Sequence, residues 1–144
     1  MANDELYTPK FIFDALAIDF DLDVCAPESG PLHTPARKWF SLKDDGLNSE
    51  WYGRVWMNPP FSRPKDWVSK WLNHNNGIAL IPLAKSNWFK ELWDSEAVGI
   101  MLPTNTKYID VEGISRSIPM ATSLWALGFT SQRALEMSGL GKLR

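Results

Sequence analysis

Buried strands and amphipathic helices alternate in the middle of the sequence. Residues 54–57, 78–83 and 98–102 are largely apolar runs of the length that buried strands have. Between these runs, bulky apolar side chains recur at helical spacing in two segments, one beginning near Pro64 and the other near Asn87. This order predicts an α/β fold, with an open, mostly parallel central sheet and helices on its faces.

The flanking regions add further elements. Residues 9–17 have the pattern of a helix with Thr8 as its N-cap, while Ser62 and Gly77 have the residue types that begin and end the helix between them. The pattern also predicts strands at residues 20–25, 37–42, 106–111 and 123–127, a loop at 28–35, a helical turn or loop at 46–52, and a terminal helix from about Ser131. No repeat or domain boundary is visible, so we expect one domain over residues 1–144.

Composition narrows the class of protein. A chain of 144 residues that is 44% apolar can bury a core of its own. The net charge of −2 gives no general basic field, so any nucleic-acid surface must be a local patch. Cys25 is the single cysteine, which fits a reducing compartment, and we find no apolar run long enough to cross a membrane. His33 and His74 lack partners at metal-ligand spacing. We therefore expect a cytoplasmic protein without a membrane segment or a metal site.

The most specific chemical signal is Asn58-Pro59-Pro60-Phe61, which follows an apolar strand and precedes a helix. The Asn58 side-chain oxygen and the Pro59 carbonyl could accept both hydrogens of a planar amine, and the two prolines would stiffen the turn. Phe61 could stack on an aromatic base, which must then leave the double helix to reach the turn. The pattern points to methyl transfer onto nitrogen. A rigid strand-to-helix connector is the alternative explanation.

A methyl donor needs a site of its own. Cofactors of open parallel sheets bind beyond the carboxyl ends of the strands, and Asp23 lies at such an end. It could contact a positively charged amino group of the donor. The pair Asp44-Asp45 could bind a ribose or adenine. No Gly-x-Gly-x-x-Gly motif is present. Acidic residues at strand ends and in turns are common, so each of these assignments has an ordinary structural alternative.

The order of these motifs resembles the bacteriophage DNA N-6-adenine methyltransferase (Dam) family. The resemblance rests on Thr8-Pro9-Lys10, Leu22-Asp23-Val24-Cys25-Ala26, Asp45-Gly46-Leu47 with Trp51, and Val55-Trp56-Met57 before the Asn-Pro-Pro-Phe turn. It implies a Rossmann-like methyltransferase fold and an enzyme that depends on S-adenosylmethionine. It also implies that the substrate is adenine in double-stranded DNA and that methylation protects phage DNA from restriction. It implies that the catalytic residues are Asn58, Pro59, Pro60 and Phe61. It also implies a donor site formed by Tyr7, Thr8, Lys10, Asp23, Cys25, Ala26, Asp45, Leu47 and Asn58.

The DNA-binding surface is the least defined part. Arg63 and Lys65 follow the Asn-Pro-Pro-Phe turn, where phosphates would pass, and Arg116 lies in a polar segment predicted to be a loop. Too few residues separate Val24 from Met57 to hold a separate target-recognition domain. Nothing specifies a dimer interface. Other planar nitrogens, in cytosine N4, an RNA base or a glutamine amide, stay open as substrates, as does an inactive relative that binds nucleic acid or protein.

Overall fold

A six-stranded sheet lies at the centre of the fold. The structure is a computed structural model, and it describes residues 6–143. The strands are β1 (Phe20–Asp23), β2 (Ala36–Trp39), β3 (Val55–Met57), β4 (Gly77–Pro82), β5 (Val98–Met101), β6 (Tyr108–Ile109), β7 (Ser115–Arg116) and β8 (Thr122–Leu127). The helices are α1 (Lys10–Leu16), α2 (Lys65–His74), α3 (Asn87–Asp94) and α4 (Phe129–Met137).

The strand order of the sheet is β2-β1-β3-β4-β8-β5. Neighbours from β2 through β4 pair in parallel, and β8 runs antiparallel to both β4 and β5. The prediction of an α/β fold with a mostly parallel sheet is therefore confirmed. The chain places β2 on one side of β1 and then returns to place β3 on the other side. This reversal makes the carboxyl ends of β1 and β3 a topological switch point, where ligands of open sheets bind.

The two faces of the sheet have separate apolar cores because successive strand residues point to opposite faces. Trp56 packs in the core that contains residues of α1 and α4. Its neighbours Val55 and Met57 pack in the other core, with residues of α2 and α3. All six residues of β4 are buried, which explains why the sequence shows a continuous apolar run there.

Three predicted helix ends are wrong. Helix α1 has Pro9, not Thr8, at its N-cap position, and helix α2 has Pro64 there instead of Ser62. Helix α2 ends at His74, its C-cap residue Asn75 takes the left-handed conformation with φ 62°, and Gly77 is the first residue of β4. A side chain at Gly77 would place its Cβ 2.2 Å from the carbonyl oxygen of Val55. Gly77 is therefore required by the close packing of β4 against β3, and not by the end of helix α2.

The segment between β5 and β8 contains an unpredicted hairpin. Strands β6 and β7 pair antiparallel, so Arg116 lies on a strand and not in the predicted loop. The predicted strand at residues 106–111 is reduced to Tyr108–Ile109, and Tyr7 pairs with Ile109 outside the main sheet. Strand β8 confirms the predicted strand at 123–127, whereas α4 begins at Phe129, ahead of the predicted start. In the part of the chain that the structure describes, no helix is both long and apolar enough to cross a membrane.

We expect the substitution Ser131→Ala to stabilise the protein. Ser131 is fully buried in α4, and within residues 6–143 its hydroxyl oxygen has no hydrogen-bond partner. Removing an unsatisfied buried hydroxyl should raise the free energy of unfolding by about 1 kcal/mol, because the desolvation cost disappears. Urea unfolding of both proteins measures the difference.

The matched control is Ser123→Ala. Ser123 is also buried, but its hydroxyl donates to the Ile81 carbonyl oxygen at 2.9 Å and accepts from Trp125 Nε1 at 2.8 Å. This substitution should lower the free energy of unfolding because it removes the acceptor of the buried Trp125 N–H. Equal losses in the two variants would contradict the prediction.

Candidate active site

A large cavity opens where β1 and β3 end. The register places Asp23 level with Trp56, so the segments that follow the two strands leave the sheet side by side. The cavity has a volume of about 770 Å³, within the range of ligand pockets. Seven of the residues predicted for the site border it: Cys25, Ala26, Asp45, Leu47, Asn58, Pro60 and Arg63. The structure therefore brings together segments that the sequence separates by more than 30 residues.

Asn58 has a defined side-chain orientation at the cavity wall. Its Nδ2 donates to the carbonyl oxygen of Leu6 at 3.1 Å and to Oγ1 of Thr8 at 3.5 Å. Within residues 6–143, no group donates to its Oδ1. The Asn58 Nδ2 group is therefore hydrogen-bonded within the protein, and Oδ1 can accept a hydrogen bond from a ligand. An available acceptor suits a ligand that carries an amino group.

The rest of the Asn-Pro-Pro-Phe turn differs in exposure. Pro59 is buried, while Pro60 is half-buried and borders the large cavity. Phe61 is half-buried and packs against the core beside α1 and α4, and it borders neither of the two cavities at this edge. Of these three residues, Pro60 forms part of the wall of the large cavity. Contact between the Phe61 ring and a base stays a prediction.

A second, much smaller cavity adjoins the first, with a volume of about 10 Å³. Tyr7, Thr8 and Asp23 border it, and Cys25 and Asn58 border both cavities. Three of the predicted donor residues therefore lie around the smaller space and not around the larger one. A space of this size holds about one water molecule.

Asp23 is a buried carboxyl group, with 3% of its surface exposed. Burial raises its pKa to about 7, partly offset by the backbone N–H of Cys25, which donates to Oδ1 at 3.1 Å. The desolvation cost exceeds the gain from a single hydrogen bond. The protonated and ionised forms are therefore both populated near neutral pH.

Lys10 lies outside this arrangement. It is exposed on α1, its Nζ donates to Asp14 at 2.9 Å, and it borders neither cavity. An exposed pair of this kind at i,i+4 contributes a few tenths of a kcal/mol to the helix.

Asp44 and Asp45 have different surroundings. The Asp44 carboxylate accepts from the backbone N–H and the hydroxyl of Ser41, which caps a short 3-10 turn. Asp45 borders the large cavity and has φ 53°, a left-handed conformation that a non-glycine residue rarely adopts. Of the two, Asp45 is the residue in position to contact a ligand.

The loop that carries Asp45 is held against the sheet from two sides. A Cβ at Gly46 would lie 2.0 Å from the carbonyl oxygen of Val24, so only glycine allows this approach. On the outer side, Lys70 Nζ donates to the carbonyl oxygens of Leu47, at 2.8 Å, and Ser49. Lys70 therefore supports the cavity wall.

Nine of the residues that border the large cavity were not predicted for the site, and Leu6, Asp66 and Trp67 are among them. Asp66 and Trp67 lie in the first turn of α2, directly after the Asn-Pro-Pro-Phe turn. The Trp67 ring stacks on Trp51, with centroids 6.4 Å apart and planes at 24°. The proximity of the helix start to the motif was an available signal for Asp66 and Trp67.

The predicted DNA-binding residues differ in their surroundings. Arg63 is exposed at the rim of the large cavity, and Lys65 is exposed at the start of α2 without bordering it. Arg116 donates through Nε to Asp110 Oδ2 at 2.7 Å. This bond raises the pKa of Arg116, while the Ile114 backbone N–H and then Arg116 lower the pKa of Asp110. Part of the Arg116 charge is thus neutralised within the hairpin.

The described residues contain no group of three or more His, Cys, Asp and Glu side chains able to hold a metal ion.

Comparison with known proteins identifies the family. The model of the family described as DNA N-6-adenine-methyltransferase (Dam) matches residues 1–113, which is more than half of the chain. The chain belongs to the Dam family. The match ends at Gly113, inside the β6–β7 hairpin, so it includes the strands and loops that form both cavities.

Two curated phage proteins share this part of the sequence. A protein of Escherichia phage T1 named DNA N-6-adenine-methyltransferase is 35% identical over 107 residues, which cover 68% of this chain and 43% of that protein. A protein of the same name from Haemophilus phage HP1 (strain HP1c1) is 33% identical over 83 residues, covering 51% and 46%. This Dam-family chain therefore spans less than half the length of the relatives it matches. No solved structure matches it.

We expect Asp23→Asn to remove a pH dependence of stability. The folded-state pKa of about 7 lies above the unfolded value of 3.8, so folding favours the protonated form. Wild-type stability from this group is present below pH 4 and is lost as the pH rises through 7. Asn keeps the acceptor for the Cys25 N–H and cannot ionise. At pH 8 the variant should be more stable, by on the order of 4 kcal/mol at most, and at pH 4 nearly equal.

Urea unfolding at pH 4, 6 and 8 measures this. The control is Asp14→Asn, on the exposed face of α1, which should change the free energy of unfolding by less than about 0.5 kcal/mol. A constant difference between wild type and Asp23→Asn across this range would contradict the assignment.

Proposed function

We propose that this protein transfers a methyl group from S-adenosylmethionine to the N6 amino group of adenine in double-stranded DNA. The family description and the names of both phage relatives support this reaction. The observation that carries it is the Asn58 side chain: its acceptor oxygen is unused while its donor group is held, at the wall of a cavity of about 770 Å³. The topology supports a Rossmann-like methyltransferase fold, with the donor at the switch point.

The residues around the large cavity fit S-adenosylmethionine. The volume accommodates a ligand the size of a nucleoside with an amino-acid tail. The Asp45 carboxylate is in position for ribose hydroxyls, and the Trp67 ring offers an aromatic surface for an adenine. Cys25 and Ala26 also line this cavity. When bound, the donor supplies a methyl group on a positively charged sulfur.

The chain's own residues would prepare the nitrogen for attack. The Asn58 Oδ1 and the Pro59 carbonyl accept the two amine hydrogens, which localises the nitrogen lone pair that the ring otherwise delocalises. Buried Pro59 and half-buried Pro60 lack backbone N–H groups and restrict φ, so the acceptors keep their geometry. Asn58 cannot take up the proton, which leaves to water. Phe61 is our candidate for stacking on the target base.

The adenine must leave the double helix to reach Asn58, so the proposal includes base flipping. Arg63 and Lys65 are the candidate phosphate contacts because they are exposed beside the cavity. Arg116 is a weaker candidate because Asp110 binds its Nε.

The biological setting rests on the relatives. Both carry phage names, so we propose that the protein acts in a bacterial host's cytoplasm and protects phage DNA from restriction. We also propose that residues 1–144 act as one methyltransferase domain. A second copy could help to cover the DNA.

The pocket would also accept other planar amines. Cytosine N4, an RNA base and a glutamine amide all present hydrogens that Asn58 Oδ1 could bind. An inactive relative that only binds nucleic acid or protein would retain the fold without transferring methyl groups. Identification of the methylated product separates these alternatives.

We expect wild-type protein to methylate adenine and Asn58→Ala to lose the activity. Labelled S-adenosylmethionine is incubated with unmethylated DNA, which is digested to nucleosides and resolved by mass. Loss of one preorganised acceptor should lower kcat by roughly 100-fold or more. The control Asn73→Ala makes the same change on the exposed side of α2 and should retain wild-type activity.

If only another nucleoside or a glutamine is methylated, the adenine assignment is wrong. No transfer to DNA, RNA or protein, together with no donor binding, would favour the inactive relative.

We expect Arg63→Ala to reduce the salt dependence of DNA binding. Loss of one phosphate contact should lower the slope of log K against log salt by about one unit. Arg116→Ala should have a smaller effect because Asp110 already binds its guanidinium. Fluorescence anisotropy at several salt concentrations measures the slopes.

Arg133→Ala is the charge-matched control, since Arg133 is exposed on α4 and borders neither cavity. Equal slopes for the Arg63 and Arg133 variants would exclude Arg63 as a local phosphate contact.

A further inference from the structure

The segment of residues 6–8, here called the strap, is fastened by partners far along the chain. Tyr7 N donates to the Ile109 carbonyl oxygen at 2.7 Å, and Ile109 N donates to the Tyr7 carbonyl oxygen at 3.1 Å. The Tyr7 hydroxyl also shares a 2.7 Å hydrogen bond with Ser29 Oγ. The strap thus forms a single antiparallel bridge with β6 and is bound to the loop before β2. Its position depends on tertiary structure, since it lies outside any helix.

The strap and Asn58 meet through the side-chain amide. Leu6 borders both cavities, and its carbonyl oxygen accepts from Asn58 Nδ2 at 3.1 Å. Thr8 is 5% exposed, and its Oγ1 lies 3.5 Å from the same nitrogen. The two residues on either side of Tyr7 therefore face one NH2 group.

A carbonyl oxygen can only accept a hydrogen bond. If the Asn58 amide rotated by half a turn, Oδ1 would face the Leu6 carbonyl, and two acceptors would oppose each other in a partly buried site. The rotated amide would also present its N–H groups to the substrate. An incoming amine would then meet donors where it needs an acceptor.

We propose that the strap is a positioning element that fixes the orientation of the Asn58 amide, so that this site accepts amino groups and rejects carbonyl groups. Leu6 and Thr8 act through Asn58 and do not contact the reacting atoms. The part of this inference that concerns substrate choice rests on the proposed function. The part that concerns the orientation of the Asn58 amide is independent of the proposed function.

Thr8 supports this role because its side chain does not cap α1. Its residue type and place before α1 favour an N-cap, yet α1 has Pro9 at that position and no side-chain cap. The hydroxyl is instead directed to Asn58. A local stabilising bond at the helix start is thus absent, while a contact with the candidate catalytic side chain is present.

NMR of the full chain tests the orientation without any activity. The Asn58 NH2 signals are assigned by their absence in Asn58→Asp, and their hydrogen exchange is measured in each variant. Tyr7→Pro removes the N–H that binds Ile109, whereas Tyr7→Ala removes the same ring and keeps that N–H. We expect exchange to become about fivefold faster in Tyr7→Pro than in Tyr7→Ala. Thr8→Val should accelerate it, and Thr8→Ser should restore the wild-type rate.

Kinetics tests the consequence. Thr8→Val should lower kcat by about three- to tenfold, with the KM for S-adenosylmethionine unchanged, and Thr8→Ser should restore kcat. Tyr7→Pro should lower kcat by up to about 100-fold, because it displaces the Leu6 carbonyl. In the Asn58→Asp background, Thr8→Val should have no further effect. A carboxylate offers acceptor oxygens in either orientation, so it needs no strap to orient it.

The outcomes separate the two proposals. Wild-type exchange rates in both Thr8→Val and Tyr7→Pro would overturn the role of the strap, whatever the activity. Equal loss of kcat from Thr8→Val in the wild-type and Asn58→Asp backgrounds would overturn it too, because Thr8 would then act independently of the amide. Faster exchange in Thr8→Val and Tyr7→Pro, together with a wild-type protein that methylates nothing, would support the orientation and refute the proposed function. Thermal unfolding of every variant identifies any that simply fail to fold.

Discussion

The site depends on the parallel pairing of β1 with β3. That register places Asp23 opposite Trp56, so the segments after both strands emerge together at one edge of the sheet. It also directs Trp56 into the core beside α1 and α4, while its neighbours enter the opposite core. A slip of one residue would exchange these faces and bury polar Asn58 differently. The apolar content of both cores therefore fixes the position of the Asn-Pro-Pro-Phe turn.

The cavity wall shows that the protein accepts unfavourable local conformations at this edge. Asp45 has a left-handed backbone, and Asp23 buries a carboxyl group whose ionisation costs free energy. Compensation comes from elements behind the wall: Gly46 allows close contact with Val24, and Lys70 binds the carbonyl oxygens of the adjacent loop. Such compensation by surrounding structure is typical of ligand-binding sites, where strained residues persist because their neighbours over-determine their positions.

The sequence predicted what local patterns determine. The alternation of strand and helix and the turn at Asn58 follow from short-range periodicity and residue type. The structure confirms the α/β fold with a mostly parallel sheet and brings Asn58 and Asp45 to one cavity. The errors involve partners distant in sequence. Thr8 is directed to Asn58 instead of capping α1, and Arg116 pairs with β6 instead of lying in a loop. Periodicity contains no information on such contacts.

The charges at the site suggest how one small protein could bind two ligands of opposite charge. Asp45 and Asp66 border the large cavity, while Arg63 is exposed at its rim. The carboxylates would attract a cationic methyl donor, and the arginine would attract a DNA phosphate. In the proposed reaction, transfer of the methyl group would remove the donor's positive charge, and attraction to the carboxylates would then weaken. The same arrangement of charges would then favour binding of the donor and release of its product. This effect is local, because the net charge of the whole chain is only −2.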